Sequence, residues 1–177
     1  LMSTFLARLF VCVALLFPVA AAAGDYVFDS IDGGRIDMAQ WRGKPVLVVN
    51  TASMCAFTPQ YEELQALYDT YRDRGLVVLA VPSNDFRQEL DSEAEVAEFC
   101  ELTYGIDMPM TTITHVRGDA AHPFYAWLRD SHGFEPRWNF NKVLIGPDGT
   151  LVDTFGSPVR PRSGSITRPI EALLAAG

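Results

Sequence analysis

The 177-residue chain is poor in cysteine, histidine and basic residues. Its three cysteines, Cys12, Cys55 and Cys100, include no C-x-x-C pair, which excludes a local dithiol exchange centre. So few thiols, in a chain long enough to build its own core, do not form a disulfide framework either. The three histidines, His115, His122 and His132, have no ligand spacing and no cysteine pair nearby, so surface positions are expected for them and no metal site or cofactor is expected. Lys and Arg number 14 against 22 Asp and Glu. Without a basic stripe the chain is unsuited to phosphate backbones, and nucleic acid is excluded as a partner. Internal repeats and low-complexity blocks are also missing.

Long hydrophobic runs are scarce outside the N-terminus, where LMSTFLARLFVCVALLFPVAAAAG sets a single Arg8 ahead of an apolar stretch from Leu9 to Ala23. That stretch is shorter than the roughly 20 apolar residues of a membrane helix and fades into alanines suited to A-x-A cleavage. Residues 1–23 therefore read as a signal peptide and 24–177 as the mature domain. Export to the periplasm or cell exterior is expected, with no stable membrane insertion after cleavage; an uncleaved leader would anchor the chain instead. Cys12 lies inside the apolar segment and not at its end, which argues against a lipid-modified cysteine.

What is present is a readable order of elements. A small hairpin is expected near 26–28 and 35–37 around the turn signal DGG. PVLVVNTA (45–52) and GLVVLAVP (75–82) are unbroken aliphatic runs, the pattern of strands covered on both faces. Between them Thr58 offers an N-cap and Pro59 a first helical residue, and Tyr61, Leu64, Leu67, Tyr68 and Tyr71 recur at helical spacing. Ser92 with Glu95 forms a capping-box signature ahead of Val96, Phe99 and Cys100. A strand over 110–116, a short helix at HPFYAWLRD (122–130), a hairpin of 142–145 and 150–155 around PDG, and a helix over about 167–175 complete the reading. RPRSGS (160–165) is expected to be flexible. This order predicts an α/β thioredoxin-like three-layer sandwich, a central mixed sheet with helices on both faces and an N-terminal β-hairpin.

Cys55 falls where the first long strand ends and a helix begins, and α/β sheets collect ligands at the carboxyl ends of their strands. Free N–H groups at a helix start favour a thiolate over a thiol. A cysteine packed as a small hydrophobe is the alternative. A single activated thiolate attacks a weak O–O bond and becomes a sulfenic acid, which needs polar groups nearby to hold the departing alkoxide.

NTASMCAFTPQY (50–61) resembles the active-site segment of the glutathione peroxidases, in which Asn-Val-Ala-Ser precedes the catalytic selenocysteine or cysteine and Gly-x-Thr follows it. VPSNDFRQE (81–89) looks like the family's second motif, Pro-x-Asn-x-Phe-Gly-x-Gln-Glu, and RWNFNKVLIGPDG (137–149) resembles its third, Trp-Asn-Phe-x-Lys-Phe-Leu. The resemblance implies a thiol peroxidase acting in oxidative stress on hydrogen peroxide and organic hydroperoxides. Cys55 would be the peroxidatic nucleophile, and Gln88, Trp138 and Asn139 its polar surroundings. A thiol reductant, a thioredoxin-like protein or glutathione, would complete the cycle.

Several positions depart from the family pattern. Arg87 leads straight to Gln88 where the family has Gly-x, Met54 stands where lysine is frequent, and Ala56 stands where glycine is usual. The shortened loop is either absorbed or displaces Gln88, and the other two changes are expected to lower the reactivity of Cys55. Cys100 is a candidate resolving cysteine, one place upstream of the position the resemblance implies; a packing role is the other reading. The segment between Leu128 and Trp138 lacks the insertion that supports tetramers, so a monomer is expected, and the arginines that hold glutathione in selenium-containing relatives have no match. Alternative functions are thiol-disulfide exchange through Cys55 and Cys100, or a redox-sensing or binding protein with weakened peroxidase activity.

Overall fold

A computed structural model describes residues 26–177. The proposed leader, with Cys12, lies outside the described residues. Short strands β1 (Val27–Asp29) and β2 (Arg35–Asp37) pair antiparallel as a hairpin around Gly33 and Gly34. Both glycines have positive φ, a conformation that glycine adopts without a Cβ penalty.

The central sheet has the order β4-β3-β5-β6. Strand β3 (Val46–Thr51) pairs parallel with β4 (Val77–Pro82) and antiparallel with β5 (Lys142–Ile145), which pairs antiparallel with β6 (Leu151–Phe155). Every residue of β3 and β4 is buried, because successive side chains enter two different cores. Leu47, Val49, Val78 and Ala80 meet Leu64 and Leu67 of α1 (Gln60–Tyr71), Val96 and Cys100 of α2 (Glu93–Tyr104), and Ile166 and Ile170 of α4 (Gly164–Ala176). Val46, Val48, Val77 and Leu79 meet the hairpin's Phe28 and Ile36, and Phe124 and Leu128 of α3 (Pro123–His132). Burial on this scale stabilises by about 1.5–3 kcal/mol for each large aliphatic side chain. Helices thus cover both faces, as the sequence predicts.

Four local expectations need correction. Residues 110–116 form no strand: Met110 and Thr111 make single bridges to Ala80 and Ser30, and the chain then turns as Thr112 and Thr114 donate to Asp29 and Pro82 carbonyls. Helix α4 begins at Gly164 and not near residue 167, so Pro169 falls inside it; Ile166 and Ile170, one turn apart and fully buried, hold the extra turn in place. The 160–165 stretch is correspondingly fastened, with Arg160 Nε donating to Glu63 at 2.6 Å and residues 164 and 165 already helical. His122 is no surface residue: its Nδ1 accepts from Phe124 N–H as the α3 N-cap, Nε2 lies 3.0 Å from the Val27 carbonyl, and its ring stacks on Phe28. Burial lowers its proton affinity. His115 and His132 are exposed.

Among the described residues no helix is long and apolar enough to cross a membrane.

Candidate active site

Cys55 lies in the turn between β3 and α1 and is 7% exposed. The side chain of Thr58 closes this turn and does not cap the helix as the sequence suggested. Its Oγ1 accepts from Cys55 N–H at 2.9 Å and donates to the Ala52 carbonyl at 2.8 Å, so Pro59 becomes an N-cap with no side-chain bond. The turn brings Phe57 N–H to 3.4 Å from Cys55 Sγ. Met54 beside it is 66% exposed, and Ala56 faces solvent.

A second loop, between β4 and α2, folds against the first. Asn84 organises it by accepting Arg87 N–H at its carbonyl and Glu89 N–H at Oδ1. Arg87 takes φ +58°, the left-handed region, to make the short loop fit. Two bonds tie the loops together: Met54 N–H donates to the Gln88 carbonyl at 2.9 Å, and Ser53 N–H to Glu89 Oε1 at 3.0 Å.

The third contribution is the turn before β5. Asn50, the penultimate residue of β3, donates to the Trp138 carbonyl at 2.9 Å and accepts Phe140 N–H at its carbonyl and Asn141 N–H at Oδ1. Phe140 is held at φ +60° and is fully buried, packed edge-on against Tyr61. This turn sets the Asn139 side chain against the second loop, where its Nδ2 donates to Gln88 Oε1 at 3.1 Å. Trp138, 40% exposed, packs its ring 5.4 Å from that of Phe86.

The loops carrying Cys55, Gln88, Trp138 and Asn139 are therefore joined by hydrogen bonds, and the shortened second loop still brings Gln88 to Asn139. Cys100 is placed differently. It is buried on α2 beside the Tyr61 hydroxyl, and burial pushes its thiol up to about 11. Cys55 and Cys100 are both free thiols. Burial also raises the Glu89 carboxyl and the Tyr61 phenol, two groups that face each other and Cys100.

An open cleft of about 920 Å³ runs along the first turn of α1, lined by Ala56, Phe57 and Gln60 on one side and by Pro158, Arg160 and Arg162 on the other. Behind it the buried Lys142 donates to Gln60 Oε1 at 2.6 Å and to the Val159 and Ser157 carbonyls at 2.6 and 3.2 Å.

The glutathione peroxidase family model matches residues 24–129, more than half of the chain. The chain belongs to the glutathione peroxidase family. A glutathione peroxidase of Lactococcus lactis subsp. cremoris is 40% identical over 142 residues, covering 77% of this chain and 90% of that one. Hydroperoxy fatty acid reductase gpx1 of Synechocystis is 39% identical over 157 residues, covering 82% and 92%. The crystal structure of Trgpx in apo form superposes with a TM-score of 0.70 at 31% identity, covering 88% and 97%. A thioredoxin-family structure that is only 17% identical shares the fold, so the thioredoxin-like sandwich stands. As a member of this family the protein is a peroxidase that reduces peroxide with a cysteine.

Sequence reasoning missed Asn50, Asn84 and Glu89, which hold these loops in place, and Lys142 behind the cleft, and it assigned Thr58 to a helix cap. Each was visible only as a polar residue within a motif; nothing in the spacing says that Thr58 turns inward instead of capping, or that Asn50 bonds a turn 88 residues away.

Proposed function

We propose that this protein is an exported thiol peroxidase in which Cys55 is the peroxidatic residue and Gln88, Trp138 and Asn139 supply its polar surroundings. The observation that carries this reading is the single hydrogen-bonded assembly of the three loops, with a backbone N–H directed at Cys55 Sγ. Asn139 donates to the Gln88 carboxamide oxygen, which aims the dipole of that amide and leaves its Nε2 to donate to a bound peroxide. The exposed indole of Trp138 offers a further donor.

In the first half-reaction the Cys55 thiolate attacks the terminal, hydrogen-bearing oxygen of ROOH. An S–O bond forms, the O–O bond breaks, and RO⁻ leaves as ROH after taking a proton; sulfur is oxidised to sulfenic acid and the peroxide is reduced. The developing alkoxide is the species that the amide and indole donors stabilise. In the second half-reaction one reductant thiol displaces water to form a mixed disulfide and a second releases Cys55 with a new disulfide. A thioredoxin-like protein or glutathione fits that role. Organic hydroperoxides join hydrogen peroxide as substrates, since the exposed Met54 presents apolar surface beside Cys55 and the Synechocystis relative is named for a hydroperoxy fatty acid.

Cys100 packs the core in this reading. Its thiol is protonated at neutral pH and enclosed by Tyr61 and α2, which disfavours both a resolving step and direct dithiol exchange. Residues 1–23 serve as a cleaved signal peptide and 24–177 form the mature, monomeric domain in the periplasm or outside the cell. The family match beginning at residue 24 supports that boundary.

Intact mass of the mature protein before and after one equivalent of hydrogen peroxide tests the assignment. A gain of one oxygen that Cys55→Ser abolishes and Cys100→Ser leaves in place is expected. Loss of two hydrogens that requires both cysteines would make Cys100 a resolving residue, and an unchanged mass would defeat the peroxidatic role of Cys55.

A further inference from the structure

Glu89 stands outside the four residues assigned above, yet it is a buried carboxyl at the seam between two of the three loops. It is 7% exposed. Its Oε1 accepts two backbone N–H groups, from Ser53 at 3.0 Å and from Leu90 at 2.9 Å, while its own N–H is held by Asn84 Oδ1 at 3.3 Å. Its Oε2 is buried, and the neighbouring Ser53 hydroxyl partly offsets the burial that raises the carboxyl's proton affinity. An apolar side chain in this space would leave the Ser53 and Leu90 N–H groups without an acceptor; the carboxyl supplies one at the cost of its own burial.

The geometry of the seam accounts for that cost. Ser53 precedes Cys55 by two residues and Glu89 directly follows Gln88, so the Ser53–Glu89 bond and the Met54–Gln88 bond form a two-rung clamp. One rung is all backbone and would exist for any sequence. The other depends on one side-chain oxygen, and it prevents the second loop from pivoting about the first. Without it, Gln88 would keep its carbonyl contact but lose the fixed angle at which its carboxamide meets Asn139.

We propose that Glu89 is a positioning residue for peroxide reduction, fixing through Ser53 the angle between the Cys55 turn and the Gln88 loop. This rests on Cys55 being the reacting sulfur and Gln88 a donor to the peroxide. The proposal separates two properties of Cys55. Attack on peroxide requires Gln88 in place, whereas alkylation by iodoacetamide requires only the sulfur and its access.

The test measures both rates on the full mature protein for wild type, Glu89→Ala and Glu89→Gln, with melting temperature recorded on the same samples. Glu89→Gln keeps a carbonyl oxygen for both N–H donors and is expected to stay within about threefold of wild type in peroxide oxidation, whereas Glu89→Ala slows it at least about tenfold, since misplacements near 1 Å can cost a hundredfold. Alkylation is expected to change less than about threefold in either variant, because the sulfur's own turn is closed by Thr58. If Glu89→Ala does not fold, Glu89→Asp, which withdraws the carboxylate by one methylene, carries the same expectation. Equal peroxide rates in the folded variants, or a parallel fall of peroxide and alkylation rates, would overturn the positioning role. A wild-type Cys55 that alkylates but never reacts with peroxide would instead overturn the peroxidatic assignment, and the role of Glu89 with it.

Discussion

At the scale of single residues, Thr58 has the clearest separable effect. The C-x-x-C pattern of disulfide exchange places a second sulfur three residues after the first, and here a hydroxyl occupies that position and bonds the turn twice. Thr58→Val keeps the shape but leaves Cys55 N–H and the Ala52 carbonyl without their partner, which should cost about 1–3 kcal/mol of stability. Thr58→Ser should recover most of it. Urea denaturation of the two variants checks the difference; a valine variant as stable as wild type would mean that the turn is held by its backbone alone. The side chains of Met54 and Ala56, which depart from the family pattern, are exposed, while the Met54 backbone N–H belongs to the frame through the Gln88 carbonyl.

At the scale of elements, the short loop between β4 and α2 closes because Arg87 accepts a left-handed conformation, φ +58°, where the family motif carries glycine and one more residue. Arg87 is exposed, so Arg87→Gly should stabilise the protein by roughly 0.5–1 kcal/mol by removing the Cβ penalty. Chemical denaturation reads the gain directly, and a loss would show that the arginine side chain makes a stabilising contact. The same element shows what the sequence could and could not reveal. Strands β3 and β4 and helices α1 and α2 were legible because their apolar periodicity records burial. The hairpins were legible because Gly and Asp turn signals are local. The 110–116 segment, apolar and β-branched in part, reads as a strand, but its partners are single residues of β4 and of the position after β1, a tertiary fact without local signature. Likewise the four proposed site residues were found by motif, whereas Thr58 and Glu89 required knowing which loop faces which. Spacing left open whether the one-residue deletion is absorbed or displaces Gln88, because it does not express the left-handed turn that Arg87 takes.

At the scale of the whole molecule, the buried titratable groups make stability depend on pH in a definite order. Burial lowers the proton affinity of Lys142 from 10.5 to about 7, so between those values the unfolded chain holds a proton that the folded chain has released, and stability rises with pH across that window. Cys100 acts in the opposite sense. Its thiol is raised from 9.0 to about 11, so the unfolded chain ionises first and stability is lost as pH climbs through that interval, with the buried phenols of Tyr61 and Tyr125 adding to the loss. The melting temperature should therefore rise from pH 7 toward pH 9, level off while the two opposing contributions overlap, and decline once the phenols of the unfolded chain ionise from about pH 10. Lys142→Met lowers stability overall, since it strands Gln60 Oε1 and two carbonyls, but its diagnostic effect is on the slope: the rise above pH 7 should vanish and the decline, no longer opposed, should begin near pH 9. A variant that keeps the rise would show that the ammonium stays charged in the fold, held by the three oxygens around it more firmly than burial opposes it. Because Gln60 opens α1 beside the Cys55 turn and faces the cleft, the same titration should also be felt in the cleft wall. In that case the oxidation rate of Cys55 in Lys142→Met would lose any inflection near pH 7 that wild type shows.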